Sequence, residues 1–284
     1  MADGLSDSGG VVIARVLGTL DVKVNGRSTV PTAPKPRKVL ALLVLHANHV
    51  VSTPALMREL WGEQPPPSAA TTLQTYILLL RKLLAKVLPG GMVEAKRVLS
   101  TWPGGYRLHL SGDAMDLRRF DQLCVQGRQA LARGENEKAA DTLSEALALW
   151  RDDVLVDVTP GPLLEAETVR LRESRLVALE QRIEADLRLG RHHQAIGELS
   201  SLVVEFPLNE NLHAHLMLAL HRSGRTAQAL GVYQRLRAAL INELGLDPSS
   251  RLRDLHLALL VCDPALDSEP TGTAATPGRL IAVS

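Results

Sequence analysis

The sequence predicts a mainly α-helical protein in two parts, with small antiparallel sheets in the N-terminal part and helical repeats throughout the C-terminal part. Three observations predict this arrangement: a β-branched run that ends at Asn25-Gly26, a long amphipathic helix introduced by prolines at 65–67, and a glycine–alanine pattern that recurs three times after residue 130. At 284 residues the chain is long enough for two domains, each with its own core.

The composition predicts a globular, cytoplasmic protein. Hydrophobic residues make up 45% of the chain, and no apolar run approaches the roughly 18 residues that a membrane-spanning helix needs. The first ten residues, MADGLSDSGG, are acidic and polar, whereas a signal peptide begins basic and continues apolar. Cys124 and Cys262 are far apart within apolar helical patterns, so we expect two buried free thiols and neither a disulfide framework nor a zinc site.

Charge is distributed unevenly between the two parts. Residues 1–112 contain 13 Lys plus Arg against 6 Asp plus Glu, a net charge of +7, and the remainder contains 19 against 25, a net charge of −6. A basic first part suggests a polyanion as its partner, with the acidic second part kept away from that polyanion.

A small antiparallel sheet is predicted in residues 11–24. Valine and leucine alternate in part over residues 16–24, as expected of strands with one buried face. Asn25-Gly26 then supplies the positive φ angles that a tight hairpin turn requires.

An apolar helix is predicted next, in residues 35–48. Its beginning carries Lys35, Arg37 and Lys38. These three cations either form a cluster that holds phosphates or belong to a solvated helix end.

A short second helix follows the strand-like Val50-Val51. Thr53-Pro54 predicts a capping residue followed by proline at the first helical position, and Gly62 ends the helix.

The third helix, in residues 65–87, is the element that points most directly to function. Ser68 is placed to cap it after the proline run. Its inward face is Leu73, Ile77, Leu80 and Leu84, at spacings of three and four. Its outer face and shoulders are Thr71, Thr72, Gln74, Thr75, Leu78, Leu79, Arg81 and Lys82. Hydroxyls, an amide and cations can bond to base edges and phosphates in a DNA major groove, and an exposed leucine can contact a thymine methyl. The alternative is an ordinary amphipathic surface helix.

A β-hairpin is predicted after the third helix. Residues 97–101 (RVLST) and 106–110 (YRLHL) have strand character, and Trp102-Pro103-Gly104-Gly105 between them has turn character. Helix, short helix, long helix and hairpin in this order predict a winged helix. Arg97, Thr101 and Trp102 then lie where the wing approaches the minor groove or the DNA backbone. For Trp102 and Tyr106, packing on the preceding helix is the competing role.

The second part contains three segments that align without gaps. They are GENEKAADTL from Gly134, GRHHQAIGEL from Gly190 and GRTAQALGVY from Gly224, each with an alanine five residues after the glycine and a large apolar residue four later. The last two copies are 34 residues apart, which is the tetratricopeptide period. The first two are 56 apart, so an insertion interrupts the array, and residues 151–162 are its predicted loop. Helical repeats of this kind present faces to other proteins and rarely carry catalysis.

Several kinds of chemistry are excluded. The sequence has no GxxxxGK[ST] loop for nucleotide hydrolysis. His213 and His215 are two residues apart and diverge on a helix, unlike the i, i+4 pair that binds zinc, so we expect solvated or capping histidines. We therefore expect no enzyme activity, no metal and no cofactor.

Residues 12–112 resemble the OmpR-type winged-helix domain of the SARP family, the actinobacterial antibiotic regulatory proteins. The resemblance rests on RVLGTLDVKVNG, PRKVLALLVLHANHVVS, LMRELWGEQPPPSAATTLQTYILLLRKLL and GGYRLHL, and the TLQTYxxxLRKxL pattern is its most specific part. Residues 205–249 are similar to the bacterial transcriptional activation domain of the same family, and the match continues to about residue 262.

This resemblance implies a transcriptional activator of an antibiotic biosynthetic cluster. It implies binding to direct repeats in promoter DNA near the −35 region, by a head-to-tail pair of chains that are monomers in solution, and recruitment of RNA polymerase holoenzyme through its sigma factor and other subunits. The DNA-binding residues that we predict are Lys35, Arg37, Lys38, Thr71, Thr72, Gln74, Thr75, Tyr76, Leu78, Leu79, Arg81, Lys82, Arg97, Thr101, Trp102 and Tyr106. Leu78 and Leu79 depart from the polar or basic base-reading residues of OmpR-type proteins, which shifts readout to Thr71, Gln74, Thr75 and contact with thymine methyls.

The predicted organisation is a disordered N-terminus (1–11), the winged-helix domain (12–112), the helical activation domain (113–265) and a disordered tail (266–284). Only residues 1–11 precede the first predicted strand, so we expect no receiver domain and no control by its phosphorylation. Two rival functions remain: a repressor with the same DNA contacts, and an adaptor whose winged domain binds protein. The basic charge of residues 1–112 argues against the adaptor.

Overall fold

The computed structural model describes residues 12–111 and 114–266 and divides into two compact units. The first unit comprises residues up to Gln122 together with Ala146–Arg175, and the second comprises Leu123–Glu145 together with residues from Leu176 onward. The disorder predicted for 1–11 and for 267–284 of the 266–284 tail lies outside the described residues, whereas Leu266 is buried in a 3₁₀ turn, so the predicted tail begins one residue too early. The described chain is mainly helical with small antiparallel sheets near its N-terminus, which confirms the predicted fold class. The boundary between the winged-helix domain and the helical activation domain, predicted at residues 112 and 113, stays a prediction.

The first sheet is antiparallel and lies at the N-terminus of the described chain. Its strands, in order, are β1 (Val12–Arg15), β2 (Asp21–Val24) and β3 (Arg27–Ser28). Asn25 and Gly26 have φ angles of 49° and 78°, so the predicted hairpin turn is confirmed and joins β2 to β3.

The helices of the first unit follow in the predicted order. The next elements are α1 (Pro34–Leu45), β4 (Val51–Ser52), α2 (Thr53–Trp61) and α3 (Ala69–Ala85). Gly62, with a φ angle of 63°, ends α2 as predicted.

The predicted caps of α2 and α3 are wrong in detail. Ser52 caps α2 because its Oγ accepts a hydrogen bond from the Ala55 N–H at 3.2 Å, which places Thr53 inside the helix. Ser68 occupies the capping position of α3, but its side chain makes no capping hydrogen bond.

The wing begins later than predicted, because another helix precedes it. Residues Gly91–Val98 form α4, and the wing strands are β5 (Leu99–Trp102) and β6 (Gly105–Leu108). Arg97 is therefore helical, and the strand predicted from residue 97 is wrong at its start. The Glu94 carboxylate accepts from the Gly90 N–H at 2.8 Å, and Ala95 is fully buried, which favours a helix turn in this stretch. The second sheet has the order β4-β6-β5, with antiparallel pairings.

The chain after the wing is helical. Its helices are α5 (Asp116–Ala132), α6 (Asn136–Ala148), α7 (Pro162–Arg188), α8 (His192–Glu205), α9 (Glu210–Arg222), α10 (Thr226–Leu244) and α11 (Ser250–Leu260), followed by a 3₁₀ turn at Pro264–Leu266. Residues 151–161 contain no helix or strand, which confirms the predicted insertion loop.

The three repeats of the sequence form the same helix ending in the second unit. Gly134, Gly190 and Gly224 have φ angles of 75°, 73° and 75°, a conformation that glycine adopts without steric cost. The residue after each of these glycines donates its N–H to the carbonyl five residues before it, at 2.8–3.0 Å. This hydrogen bond satisfies a carbonyl at the end of the preceding helix. The repeat alanines Ala139, Ala195 and Ala229 are all buried where the helices meet.

Two expectations about the second unit need correction. Cys262 is exposed, with a φ angle of 50° just after α11, whereas Cys124 is half-buried. His213 is buried, and its Nδ1 donates to the Asn209 carbonyl at 2.9 Å, so this histidine is not solvated.

Within the described ranges, no cluster of three His, Cys, Asp or Glu side chains is arranged to hold a metal ion, and no helix is long and apolar enough to cross a bilayer.

Candidate nucleic-acid interface

Helix α3 has one buried face and one exposed face. It packs against α1, α2 and α4, and its inward residues are Leu73, Ile77, Leu80 and Leu84, all less than 5% exposed. The exposed residues of the outer face are Thr71, Gln74, Thr75, Leu78, Leu79 and Lys82, whereas Thr72, Tyr76 and Arg81 are half-buried. The residues predicted to face DNA therefore share one side of a helix whose other side is fixed in the core.

The hydroxyl groups on α3 have a defined hydrogen-bonding role. Thr75 Oγ1 donates to the Thr71 carbonyl at 3.0 Å, within the helix. This bond uses the hydroxyl proton of Thr75, so the oxygen of this exposed side chain remains available as an acceptor. An acceptor in this position suits the amino groups that cytosine and adenine present in the major groove.

Arg81 connects α3 to the wing. Its Nε donates to the Leu99 carbonyl at 2.9 Å, and its Nη2 donates to Thr101 Oγ1 at 2.8 Å. Burial lowers the pKa of the Arg81 guanidinium, while the nearby Tyr106 acts in the opposite direction. The two hydrogen bonds fix the angle between the helix and the first wing strand, so Arg81 is a positioning residue as well as a cation.

The wing carries an aromatic–guanidinium pair that the sequence did not predict. The Arg107 guanidinium lies 4.3 Å from the centroid of the Trp102 ring, and Trp102 Nε1 donates to Ser100 Oγ at 3.0 Å. Trp102 is 42% exposed, and both of these contacts lie within the wing. The stacked pair offers a positive charge and a flat apolar surface on the wing.

The other wing candidates lie apart from this pair. Tyr106 is half-buried on β6, where it pairs with Val51 and with Thr101. Arg97 is exposed in the last turn of α4, beside Lys96 in sequence.

The three cations at the start of α1 have different environments. Lys35 is exposed, with its Nζ 5.5 Å from the centroid of the Trp61 ring, and Lys38 is half-buried. Arg37 is held inside the protein: its Nε donates to the Pro31 carbonyl at 3.0 Å, and its Nη1 lies 3.1 Å from a carboxylate oxygen of Asp157. The predicted cluster therefore does not present three equivalent cations to a ligand.

An open groove of about 660 Å³ lies between α3 and the beginning of α1. One wall is Thr75, Leu78, Leu79 and Lys82, at helical positions i, i+3, i+4 and i+7, together with Tyr76. The other wall is Ala33, Pro34, Lys35 and Pro36. The lining is mostly apolar and contains two lysines and no carboxylate.

Comparison of the sequence with known proteins identifies the family to which the chain belongs. Residues 27–108 match the model described as "Transcriptional regulatory protein, C terminal", and residues 115–260 match the "Bacterial transcriptional activator domain". The regulatory protein DnrI of Streptomyces peucetius is 50% identical over 253 residues, which are 89% of this chain and 93% of DnrI.

The chain belongs to the SARP family of transcriptional regulators.

Larger members extend beyond the SARP region. The regulatory protein AfsR of Streptomyces coelicolor is 39% identical over 92% of this chain, which spans only 25% of AfsR. The solved structure of Mycobacterium tuberculosis EmbR in complex with a low affinity phosphopeptide has a TM-score of 0.83 and 36% identity, covering 90% of this chain and 66% of that one. DnrI and AfsR are both described as regulatory proteins.

The compact unit that holds the SARP winged helix also includes the insertion loop. The Asp157 carboxylate accepts from the Leu20 N–H at 2.7 Å as well as pairing with Arg37. The N–H groups of Arg151 and Leu155 bond to carbonyls of the β1–β2 connection at 3.0 and 3.1 Å. Residues that match the activator-domain model thus complete the surroundings of α1 and of the β1–β2 connection.

Two buried carboxylates, Glu59 and Asp116, make further hydrogen bonds between the winged-helix region and residues that match the activator-domain model. Glu59 on α2, 2% exposed, accepts from the N–H groups of Gly161, Leu163 and Leu164 at 2.5, 2.8 and 3.2 Å. It thereby satisfies free donors at the beginning of α7 and stabilises the positive end of that helix. Asp116 accepts from the N–H groups of Val16 and Leu17, and burial raises its pKa although these bonds oppose the rise.

Sequence reasoning missed Arg107, Glu59 and Asp157. Arg107 had a local signal, since it follows Tyr106 on the predicted wing strand. Glu59 and Asp157 had none, because their partners are separated from them by more than 100 residues.

Proposed function

We propose that the chain is a sequence-specific transcriptional activator that binds promoter DNA with α3 in the major groove. The observation that carries the proposal is the division of α3 into a core face and an exposed face of hydroxyls, an amide, two leucines and a lysine. A fixed helix with an exposed polar face is what reading base edges requires, and the basic charge of residues 1–112 supplies attraction to phosphates.

Each predicted residue takes a role that its environment supports. Thr71, Gln74 and Thr75 read base edges, with Thr72 and Tyr76 at their flank. Lys35, Lys38, Lys82 and Arg97 hold phosphates, and Trp102 with Arg107 approaches the adjacent minor groove or backbone. Arg81 holds the wing, together with Thr101 and Tyr106. Arg37 is assigned to the Asp157 ion pair instead of a phosphate.

The activation step and the target are inferred from the family. The match of residues 115–260 to the bacterial transcriptional activator domain supports recruitment of RNA polymerase holoenzyme. Membership of the SARP family supports control of an antibiotic biosynthetic cluster through direct repeats near the −35 region, bound by a head-to-tail pair of chains.

DNase footprinting of the full chain on candidate promoters, with and without RNA polymerase holoenzyme, tests this function. We expect protection of direct repeats beside the −35 region that polymerase strengthens or extends. Matched reactions with Lys82→Ala should show weaker protection, and those with Lys138→Ala, an exposed lysine of the second unit, should match the wild type.

In-vitro transcription distinguishes activation from its rivals. Added protein should raise transcript yield from a footprinted promoter. A fall in yield with exclusion of polymerase would instead establish a repressor, and the absence of any footprint at modest salt would favour the protein-binding adaptor.

A further inference from the structure

The two exposed leucines of α3 stand out on a face that is otherwise polar. Leu78 is 46% exposed and Leu79 is 36% exposed, although both lie in the middle of a well-packed helix. They form one wall of the open groove, with a hydroxyl from Thr75 before them and the ammonium of Lys82 after them. The opposite wall is mostly apolar, with Ala33, Pro34 and Pro36 beside the single cation Lys35.

The chemistry of this groove restricts what it can receive. Its polar members are hydrogen-bond donors or acceptors without negative charge, and its lysines favour an anionic ligand. Its apolar walls favour an apolar group carried by that ligand. In the DNA major groove, the only apolar group that a base pair presents is the C5-methyl of thymine.

We propose that Leu78 and Leu79 are specificity-determining residues that select thymine by contact with its C5-methyl group. This inference rests on the proposed function, because it requires α3 to lie in the major groove. The two leucines are adjacent in sequence and point about 100° apart around the helix, so they contact methyls on different base pairs. Lys35 and Lys82, at the rim of the groove, hold the phosphates that flank those thymines.

Deoxyuridine substitution tests the contact from the DNA side and leaves the protein unaltered. A bound duplex is first selected with the full chain from a randomised pool, and each thymine of the selected site is then replaced singly by deoxyuridine. Loss of a methyl that contacts leucine should weaken binding about fourfold, the factor that corresponds to one buried methyl-sized group. Thymines outside the contact should tolerate the change.

Protein variants combined with the deoxyuridine duplexes form a double-mutant cycle that tests the same contact from the protein side. In Leu78→Ala or Leu79→Ala, deoxyuridine at the corresponding position should no longer weaken binding, since the contact is already lost. Val93→Ala, which trims a 68% exposed valine on α4 outside the groove, should keep the wild-type penalty. Thermal unfolding confirms that the variants are folded.

The outcomes separate this inference from the proposed function. Failure to select any preferred duplex would overturn both. A selected duplex that the wild-type protein binds equally well with deoxyuridine at every position would overturn only the methyl contact. A penalty that persists unchanged in both leucine variants would also overturn the assignment to these residues.

Discussion

Glu59 and Leu163 are joined by a hydrogen bond of 2.8 Å between a buried carboxylate on α2 and a backbone N–H at the start of α7. The same carboxylate accepts from Gly161 and Leu164. Helix α2, which packs against α3, is therefore fixed by residues more than 100 positions later in the chain.

Glu59→Gln should lower the free energy of unfolding of the full chain by about 1–3 kcal/mol. The amide replaces an accepting oxygen by an NH₂ group, which leaves buried N–H donors without an acceptor. Urea denaturation followed by circular dichroism measures the change. Glu63→Gln, at a carboxylate whose side chain is 83% exposed, is the control and should stay within about 0.5 kcal/mol of the wild type. Equal effects of the two substitutions would contradict the role of Glu59.

Arg81→Lys should loosen the wing while leaving the rest of the chain folded. Lysine cannot make the two directed hydrogen bonds to Leu99 and Thr101 from one planar group. Hydrogen exchange of the β5 and β6 amides should become faster. Arg58→Lys, which changes an exposed arginine of α2, should not alter exchange in the wing, and unchanged wing exchange in Arg81→Lys would refute the connection.

Lys82→Ala should weaken DNA binding by a similar factor for every sequence. Lys82 is exposed on the outer face of α3, and the proposed contact with a phosphate would release one counterion. The slope of log K against log salt concentration should fall by roughly one unit, as measured by fluorescence anisotropy. Lys138→Ala should keep the wild-type slope, and a wild-type slope in Lys82→Ala would exclude a phosphate contact.

Thr75→Val should change sequence preference without changing the salt slope. Valine keeps the shape of threonine and removes the acceptor that Thr75 presents to base edges. Selection from a randomised duplex pool should show relaxed preference at one position, equivalent to about 1–3 kcal/mol of lost discrimination. Gln74→Ala should act in the same way at a different position. Thr142→Val, on α6, should select the wild-type sequence.

The second unit should lose stability as the pH falls from 6.5 towards 4. Burial lowers the pKa of His215 to about 4, with Glu184 opposing and Arg251 adding to the shift. The unfolded chain takes up this proton near pH 6.5 and the folded chain only near 4, so the stabilisation is present above pH 6.5 and is lost on acidification, by up to roughly 3 kcal/mol. Burial also lowers the pKa of His213, which acts in the same direction.

Urea denaturation at a series of pH values measures this dependence. His215→Gln should flatten the profile between pH 6.5 and 4, whereas His193→Gln, at an exposed histidine of α8, should reproduce the wild-type profile. A His215→Gln profile as steep as that of the wild type would show that other groups control the acid response.

Local patterns predicted most of the fold, including the buried face of α3. Leu73, Ile77, Leu80 and Leu84 are buried as their spacing predicts, and the repeat glycines adopt positive φ angles at helix ends. The family predicted from the sequence motifs is also confirmed by the comparison with known proteins. Predictions of this kind succeed because the cause, periodicity or a backbone preference, lies within a few residues of the effect.

The details that the sequence did not predict depend on residues far away in the chain or on a local choice between helix and strand. The cationic run at Lys35 gave no sign that Arg37 would pair with Asp157, which is 120 residues later. Residues 97 and 98 have strand propensity in part, but a helix turn begun at Gly91 and buried at Ala95 includes them. The two hydrogen bonds from Arg81 to the wing have no local signal in the sequence either, because tertiary packing sets them.

The buried carboxylates also restrict how this regulator can exchange parts with its relatives. A chimera joined near residue 113 would combine one protein's Glu59 and Arg37 with another protein's Asp116 and loop. It would work only where the second parent supplies the matching backbone donors and acidic partners. Recombination that carries residues 146–175 along with the chain up to Gln122 would keep these contacts intact. New promoter specificities are therefore transferred most safely as two sequence segments, not as one.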